Sequence, residues 1–403
     1  MSLDPAAATA TEPGVPALPT DDVSDNPPAY VSPLATWPGA VLAAGVDAGV
    51  AAHYGDPHRE QRLLVEALAC VDLSHRGVVA VSGADRLKWL HSLTTQHIKD
   101  LAPRQSAETL ILSPKGHIEH ALHVIDDGDT TWLTTEPGAA PAVARWLDSM
   151  RFMLRVEVRD ASADFAVIGE PIGVGSSPGE PLAWVDPWPN VVGDSVAYGL
   201  GADHPAAGRA WRELIVPRQD LVEAVADRPL AGLWASEALR VLAWRPRAGV
   251  DTDHRTIPHE LDWLRTAVHL HKGCYRGQET VARVHNLGRP PRRMVFVHLD
   301  GSGHTLPDVG SDVRLDTVAL NSKQLHSDQP TSEQSAIDVP ANRDPAISAA
   351  LGSASRPIGR LTSVARHYTD GPVALAVIKR NTAPDAPLLA GDSSAAQTVI
   401  VPN

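Results

Sequence analysis

The sequence predicts an α+β protein with a small β-barrel or sandwich at its C-terminal end. Up to residue 293, short strand patterns alternate with amphipathic helix patterns without a fixed repeat, which is typical of antiparallel sheets mixed with helices. After residue 293, short strand patterns follow one another with turn residues between them and no clear helix. The 403 residues are too many for one ordinary core, so we expect two or three domains.

Two segments of biased composition set the expected domain boundaries. Residues 1–40 hold eight prolines and five acidic residues without a lysine or arginine, which predicts a disordered tail over residues 1–42. Residues 321–349 are rich in Ser, Gln, Asp, Pro and Asn, which predicts a flexible insertion. We therefore expect one folded region over residues 43–293 and a barrel over residues 294–403 that the insertion interrupts.

The first half of the folded region contains most of the predicted elements. Leucines that recur every three or four residues indicate helices, and short apolar runs between turn residues indicate strands. The predicted helices are Arg59–Cys70, a helix that Ser82–Asp85 opens with Leu87, Leu90 and Leu93 on one side, and Ala140–Met150; the predicted strands are Gly77–Val81, Thr109–Leu112, Ile118–Ile125, Thr131–Thr134, Leu154–Val158 and Phe165–Ile168.

The elements predicted after residue 168 rest on the same patterns, and loops are expected where glycine and polar residues cluster. The predicted loops are Gly173–Glu180 and Gly201–Gly208, the predicted helices are Gln219–Ala226, Trp234–Ala243 and Glu260–Leu270, and the predicted barrel strands are Met294–Leu299, Val313–Leu315, Pro357–Val364 and Val373–Ile378.

Charge and cysteine content exclude several classes of protein. A net charge of −13 argues against broad binding to nucleic acid or to anionic membranes. No apolar run approaches the roughly 18 residues of a membrane span, and the N-terminus does not resemble a secretory signal. Cys70 and Cys274 are too few for a disulfide framework, so we expect a cytoplasmic protein.

Common catalytic and metal-binding motifs are missing from the sequence. There is no phosphate-binding loop, no dinucleotide-binding turn, no Gly-x-Ser-x-Gly motif and no CxxC pair. Three histidines, at 117, 120 and 123, are spaced along a predicted strand, where His117 and His123 face one way and His120 the other. Three ligands cannot converge in that arrangement, so we predict no metal site.

The most informative segment is strongly basic. Residues 271–293 contain six lysines or arginines against one glutamate, a local charge of +5 in an acidic chain. Cys274 lies between Lys272 and Arg276 with a glycine on either side of the Cys-Tyr-Arg triplet, a setting that favours thiolate and close approach of a ligand. A basic, solvated loop with a buried and inert cysteine explains the same residues equally well.

The octapeptide over residues 272–279, Lys-Gly-Cys-Tyr-Arg-Gly-Gln-Glu, resembles the signature of the YgfZ-type folate-binding proteins, relatives of the glycine-cleavage T-protein (aminomethyltransferase) family. Weaker resemblances follow in the family's order, so the similarity covers roughly residues 45–380. These are Leu112–Ile118 for a Pro-Lys-Gly strand, Ser236–Arg240 for the helix before the octapeptide, Thr256–Glu260 for a Pro-x-Glu segment, and Gly359–Ser363 with Ala374–Ala376 for the C-terminal barrel.

The resemblance implies two subdomains and the barrel arranged as a ring around a cavity that binds tetrahydrofolate. It also implies a role in the assembly or repair of iron–sulfur clusters in client enzymes. A basic segment suits the carboxylate tail of folate, and carboxylate or carboxamide groups suit its amino-pyrimidine edge. The residues implied for chemistry are Cys274, Lys272 and Glu119, and those implied for holding the folate are Tyr275, Arg276, Gln278, Glu279, Arg283, Arg240 and Glu260.

Departures from the T-protein pattern leave other functions open. The acidic pair that activates folate in the T-protein corresponds to Glu119 and His120, and two charged positions of its helix fall on Ser236 and Leu242. The second hypothesis is therefore an aminomethyltransferase or demethylase with Glu119 as its acid–base group. A third is a structural adaptor that has lost the ligand and uses the basic segment to bind a partner protein. A capping or packing role is also open for Gln278, Glu279 and Glu260, and favoured for Glu260.

Overall fold

The structure of this chain, a computed structural model, describes residues 30–173, 176–177, 179–226, 228–302, 305–320 and 355–402. The predicted insertion over residues 321–349, and residues 1–29 of the predicted tail, lie outside the described residues. Two five-stranded sheets and a closed six-stranded barrel form the framework, with helices packed between them. The predicted α+β class and the C-terminal β-barrel are confirmed.

The elements of the described residues follow the order of the chain. The strands are β1 (Val41–Leu42), β2 (Ala51–His53), β3 (Cys70–Asp72), β4 (Gly77–Ser82), β5 (Ser106–Leu112), β6 (Ile118–Asp126), β7 (Thr130–Thr135), β8 (Glu157–Asp160), β9 (Phe165–Pro171), β10 (Ala183–Val185), β11 (Trp211–Pro217), β12 (Leu230–Ala231), β13 (Arg292–Leu299), β14 (Asp312–Leu315), β15 (Gly359–His367), β16 (Gly371–Lys379), β17 (Leu388–Ala390) and β18 (Ser393–Val399). The α-helices are α1 (Pro57–Val65), α2 (Arg86–Leu93), α3 (Ala140–Met150), α4 (Leu221–Val225), α5 (Leu233–Leu242), α6 (Leu264–Ala267) and α7 (Gln278–Leu287).

The strands form three main assemblies. The first sheet has the order β5-β6-β7-β4-β8, the second has the order β10-β11-β9-β3-β12, and the barrel closes as β13-β16-β15-β14-β17-β18. In the second sheet, β12 runs parallel to β3, whereas the other neighbours are antiparallel. Side chains on the two faces of β13 pack in different cores, so this strand connects the barrel to the rest of the molecule. Val295 and Val297 belong to the barrel's own core, while Met294 and Phe296 pack in the core that contains Trp263 and Leu264.

The folded part begins earlier than residue 43. A 3-10 turn over Pro33–Thr36 is capped by the Ser32 hydroxyl, which accepts a hydrogen bond of 3.2 Å from the Leu34 amide. Leu34 is fully buried in the same cluster as Cys70 and Ile168 of the second sheet. The proline-rich composition predicted disorder here, but one buried leucine and one cap fix residues 30–42 on the fold.

The predicted helix Arg59–Cys70 is too long. Helix α1 ends at Val65, and Ala67 then adopts a left-handed backbone with φ of +56°. Cys70 does not close the helix but begins β3, where it is fully buried. The apolar residues that continued the helical spacing belong in part to a buried strand, which periodicity alone does not distinguish from a helix.

The predicted helix Glu260–Leu270 is interrupted at Asp262. This residue has a left-handed φ of +55°, and it separates a 3-10 turn over Pro258–Leu261 from α6. Its carboxylate accepts hydrogen bonds from the amides of Tyr198 at 2.6 Å and Gly199 at 3.1 Å. A tertiary contact therefore overrides the helical pattern.

Other elements differ in extent or lack a predicted counterpart. The predicted strand Leu154–Val158 begins later, as β8, and the predicted helix Gln219–Ala226 is a 3-10 turn over Arg218–Asp220 followed by α4. The sequence did not predict the short or polar elements, which are β1, β2, β3, β10, β11, β12, β17, β18 and α7.

Candidate functional site

A cavity of about 470 Å³ lies where the first sheet, the second sheet and helix α5 come together. Trp184, Trp211 and Trp263 supply aromatic walls. The segment over residues 205–210, which connects into β11, lines the cavity as well. Its volume falls in the range of about 300–1,000 Å³ that is typical of small-molecule sites.

The charged groups of the cavity wall are nearly balanced. Five arginines and four carboxylates line it, so the wall does not carry the strong positive charge of the segment 271–293. All four carboxylates are paired with arginines. The arginines are Arg76, Arg209, Arg240, Arg245 and Arg247, and the carboxylates are Glu136, Asp186, Glu213 and Glu237.

His123 and Glu213 form a hydrogen-bonded pair in this wall. The Nδ1 atom of His123 on β6 lies 2.8 Å from Oε2 of Glu213 on β11. The other oxygen of Glu213 accepts a hydrogen bond of 2.8 Å from Arg76. Burial opposes ionisation of Glu213, but the charge of Arg76 and the hydrogen bond with His123 lower its pKa to about 2. Glu213 is therefore an anion throughout the physiological range.

Trp184 fixes the plane of the His123 ring. The two rings are stacked, with centroids 3.6 Å apart and an interplanar angle of 4°. The indole Nε1 of Trp184 donates a hydrogen bond of 2.7 Å to the carbonyl of Ala107, which holds the tryptophan in turn. The pair thus presents a rigid, partly aromatic surface to the cavity.

A second buried network holds α5 and the segment after it. Arg247 donates to both carboxylate oxygens of Asp47, at 3.0 and 2.6 Å, and to Glu136 at 2.8 Å. Arg245 donates to Glu108 at 2.6 Å and lies 3.2 Å from Asp186. Bidentate pairing of this kind fixes side-chain geometry and keeps buried charges satisfied.

Arg240 is the predicted site residue that lines the cavity. It is buried, and its guanidinium donates to Glu237 at 2.8 Å, to Asp251 at 2.7 Å and to the Ser363 hydroxyl at 2.7 Å. The contact with Ser363 on β15 connects α5 to the barrel. Arg240 therefore joins the cavity wall to the barrel domain.

Glu260 lies elsewhere, in a buried ion pair. Its oxygens accept hydrogen bonds of 3.0 and 2.8 Å from Arg292, which also donates to Asp253 at 2.6 Å. This arrangement joins the 3-10 turn of Glu260 to the start of the barrel. It agrees with the packing role that the sequence left open for this glutamate.

The octapeptide lies outside the cavity wall, on a loop that leads into α7. Cys274 is exposed at the tip of this loop. Lys272 anchors the loop, because its ammonium donates to the carbonyls of His91, Thr94 and Gln96, the last at 3.2 Å. Burial lowers the pKa of Lys272 to about 7.

Tyr275 faces inwards from the same loop. It is buried, and burial raises the pKa of its hydroxyl. The Lys272 ammonium lies 5.3 Å from the centre of its ring, within the distance of a cation–π contact. Lys272 and Tyr275 therefore anchor the loop on the protein interior, while the Cys274 side chain remains at the surface.

Arg276 pairs with Glu119. The guanidinium donates to the two carboxylate oxygens at 2.7 and 3.3 Å and lies 5.7 Å from the ring centre of Trp146. Glu119 is the extra residue of a β-bulge in β6, since Ile118 pairs with Leu112 and the next pair already involves residue 120. Glu119 is not among the residues that line the cavity.

The remaining predicted residues occupy the exposed helix α7. Glu279 and Arg283 form an i,i+4 ion pair at 3.0 Å, with 86% and 71% of their side chains exposed. Gln278 is the first residue of this helix, and its amide donates to the Tyr275 carbonyl at 3.2 Å. These residues are close to one another and to Cys274 in sequence, but the structure does not bring them to the cavity wall.

Sequence reasoning missed His123, Glu213 and Trp184 as cavity residues. His123 was considered only as a metal ligand, although alternation along β6 puts it on one face with Ala121, which also lines the cavity. The signal for Glu213 was the alternation of Trp211, Glu213 and Ile215. Within the described residues, no three His, Cys, Asp or Glu side chains are arranged to hold a metal ion, and no helix is long and apolar enough to cross a membrane.

Comparison with known proteins places this chain among a group of related sequences. The GCVT N-terminal domain family matches residues 40–169. A putative chloroplastic transferase of Arabidopsis thaliana is 25% identical over 271 residues, which cover 61% of this chain and 59% of that protein. A mitochondrial iron–sulfur cluster assembly factor, the IBA57 homolog of Mycosarcoma maydis, is 24% identical over 237 residues, or 55% of each chain. The chain thus spans less than two thirds of either relative.

Two further matches concern bacterial proteins. The tRNA-modifying protein YgfZ of Yersinia enterocolitica is 26% identical over 279 residues, which cover 64% of this chain and 79% of that protein. The crystal structure of the glycine cleavage system aminomethyltransferase T from Bartonella henselae superposes with a TM-score of 0.63 and 18% identity, over 90% of this chain and 93% of that chain. The structural likeness shows the fold alone, and it confirms the T-protein-like fold that the sequence resemblance implied.

Proposed function

We propose that this chain, a YgfZ-type relative of the glycine-cleavage T-protein family, binds tetrahydrofolate in its cavity and supports iron–sulfur cluster assembly or repair in client enzymes. The iron–sulfur part is supported by similarity to the assembly factor of Mycosarcoma maydis. Its partners would be iron–sulfur client or assembly proteins, and its location the cytoplasm.

The cavity is the observation that carries the folate part of the proposal. Its volume of about 470 Å³ suits a molecule of drug-like size, and tryptophans give a flat heterocycle such as a pterin apolar surface to pack on. The His123–Glu213 pair and the surrounding carboxylates supply hydrogen-bonding groups for the polar edge of that ring.

A cavity-filling variant tests where the folate binds. Ser236 lines the cavity from α5, so Ser236→Trp places an indole in the ligand's space. We expect calorimetry with tetrahydrofolate to show saturable binding to the unmodified protein and at least about tenfold weaker binding to Ser236→Trp. The control is Glu223→Trp, the same substitution at an exposed site on α4, which we expect to leave the affinity unchanged.

Two results would contradict the proposal. If tetrahydrofolate at millimolar concentration shows no saturable binding, the folate function fails, and the structural adaptor becomes the better hypothesis. If folate binds but Ser236→Trp and Glu223→Trp bind it equally well, the cavity is not its site.

The proposal also assigns a role to Cys274. The loop that Lys272 anchors presents this thiol at the surface, where a protein partner reaches it without entering the cavity. An accessible thiol is a suitable ligand or nucleophile for cluster chemistry, whereas a buried one is inert. We therefore propose Cys274 as the functional thiol.

Aminomethyl transfer is the less favoured activity. Its candidate acid–base group, Glu119, is paired with Arg276 and is not among the residues that line the cavity. Proton transfer requires a group within hydrogen-bonding reach of the reacting atom. We expect no aminomethyl transfer from a lipoylated carrier protein, and turnover in that assay would reverse the preference.

A further inference from the structure

The side of His123 that faces away from Glu213 is available to a ligand. Its Nδ1 is occupied by the carboxylate at 2.8 Å, and Nε2 has no hydrogen-bond partner within the described part of the chain. Nε2 is also not sealed from solvent, so it is open to the cavity that His123 lines. An imidazole with one nitrogen fixed and the other free is typical of acid–base and ligand-reading sites.

We infer that His123 is a ligand-contacting acid–base residue, whose Nε2 accepts a hydrogen bond from an N–H group of a planar, nitrogen-rich heterocycle in the cavity. The inference rests on the proposed folate function and deepens it, because a reduced pterin is a heterocycle of this class. Glu213 is the positioning residue of the pair.

The carboxylate selects the tautomer. Ionised Glu213 accepts hydrogen bonds only, so the Nδ1 atom of His123 must carry the proton that lies between them. In the neutral ring this leaves a lone pair on Nε2. If the ligand gives up its N–H proton, that proton moves to Nε2, the N–H bond of the ligand breaks, and the imidazolium that forms is stabilised by Glu213.

The stacking partner limits where Nε2 points. The Trp184 ring covers one face of the imidazole at 3.6 Å, and the hydrogen bond to Glu213 prevents rotation within that plane. A site on a strand with a locked ring holds its geometry better than one on a loop. The contact direction is therefore set before a ligand arrives.

The charges around His123 come from several elements. Glu213 and Arg76 face it from the second sheet and the β3–β4 connection. Glu108 is its direct cross-strand neighbour on β5, but that carboxylate is bound by Arg245, and Asp186 beyond β10 is paired with the same arginine. The neighbouring carboxylates other than Glu213 are thus neutralised by arginine.

The test uses His123→Asn, whose amide retains a donor for Glu213 but removes Nε2. The matched control is His120→Asn, on the opposite face of β6 and outside the cavity wall. Calorimetric titrations with tetrahydrofolate compare both variants with the unmodified protein at pH 8. Because the His123 variant lacks Nε2, we expect it to lose the hydrogen bond that this atom accepts from the ligand.

The two variants should differ in their affinity for tetrahydrofolate. We expect His123→Asn to bind tetrahydrofolate about tenfold more weakly at pH 8, while His120→Asn matches the unmodified protein. Long-range proton–nitrogen NMR of the ligand-free protein should show the His123 proton on Nδ1. The same spectrum recorded on His123→Asn shows whether the substitution has disturbed the remaining histidines.

Each outcome bears on the inference. Absence of tetrahydrofolate binding removes the proposed function, and this inference with it. Equal tetrahydrofolate affinity in His123→Asn and the unmodified protein, or a neutral His123 ring with its proton on Nε2 in the free protein, overturns the role of His123 and leaves folate binding intact.

Discussion

The two cysteines of this chain occupy opposite environments. Cys70 begins a buried strand, and burial raises the pKa of its thiol to about 11. Cys274 is exposed on the octapeptide loop. At neutral pH the thiolate fraction of Cys70 is at least about a hundredfold below that of an ordinary exposed thiol, before the barrier of burial is counted. We expect a thiol reagent to modify Cys274 first, measured by peptide mapping over time. Faster labelling of Cys70 would contradict the functional thiol.

The variant Cys274→Ser tests function at the same residue. Because Cys274 is exposed, we expect normal folding stability and normal tetrahydrofolate affinity, measured by thermal melting and calorimetry. In cells that lack the protein, this variant should fail to restore iron–sulfur enzyme activity. Full restoration would refute the proposed role of Cys274, and loss of folding would show that the cysteine is structural. Cys70→Ser is the comparison, and we expect it to lose stability instead.

Two glycines join elements that are far apart in sequence. Gly116 in the β5–β6 turn and Gly277 before α7 both have positive φ, of +78° and +83°. A Cβ atom on Gly277 would lie 2.6 Å from the Ser113 carbonyl oxygen and 3.0 Å from the Gly116 Cα. The Pro-Lys-Gly turn and the octapeptide, which resembled the family separately, are thus in direct contact.

This contact predicts different costs for two alanine variants. Gly273 also has a positive φ, of +96°, but a Cβ atom there would meet no atom within 4 Å beyond its own chain neighbours, so Gly273→Ala should cost about 1 kcal/mol from backbone strain alone. Gly277→Ala adds a clash with backbone atoms and should cost at least about 2 kcal/mol. Urea denaturation of both variants measures the difference, and equal losses would show that α7 does not pack against the turn as described.

Prediction succeeded where the signal was local. Helices α3 and α5 and the four barrel strands β13 to β16 follow apolar spacing, and their predicted bounds differ from the observed ones by few residues. It failed where a distant partner decides the conformation, as at Asp262, whose carboxylate is held by the segment of Tyr198. The same limit applies to the site. The sequence gives no sign of an ion-pair partner for Arg276, but a bulge in β6 brings Glu119 to it.

Apolar and polar contacts both connect the sheets, helix α5 and the barrel. One apolar cluster includes Leu110 of the first sheet, Val241 of α5 and Phe296 of the barrel. Arg240 adds a polar connection between the cavity wall and Ser363 of β15. The cavity wall therefore includes residues of both sheets and connects, through α5, to the barrel. Sequence predicted the C-terminal β-barrel but not these contacts, since pairing between distant segments leaves no local pattern.

Truncation tests the limits of the folded unit. Composition predicts little apolar burial by residues 1–29, so we expect a chain that begins at residue 30, or one in which a short Gly-Ser linker replaces residues 321–349, to keep its melting temperature and its tetrahydrofolate affinity. Removal of residues 1–40 should behave differently, because it deletes the buried Leu34 and its Ser32 cap. Loss of a buried leucine alone costs about 2–5 kcal/mol, so this chain should melt at a clearly lower temperature. If the two N-terminal truncations have the same melting temperature, residues 30–40 contribute nothing to the core. If the chain that begins at residue 30 loses folate binding, the folded unit extends further towards the N-terminus than the described residues.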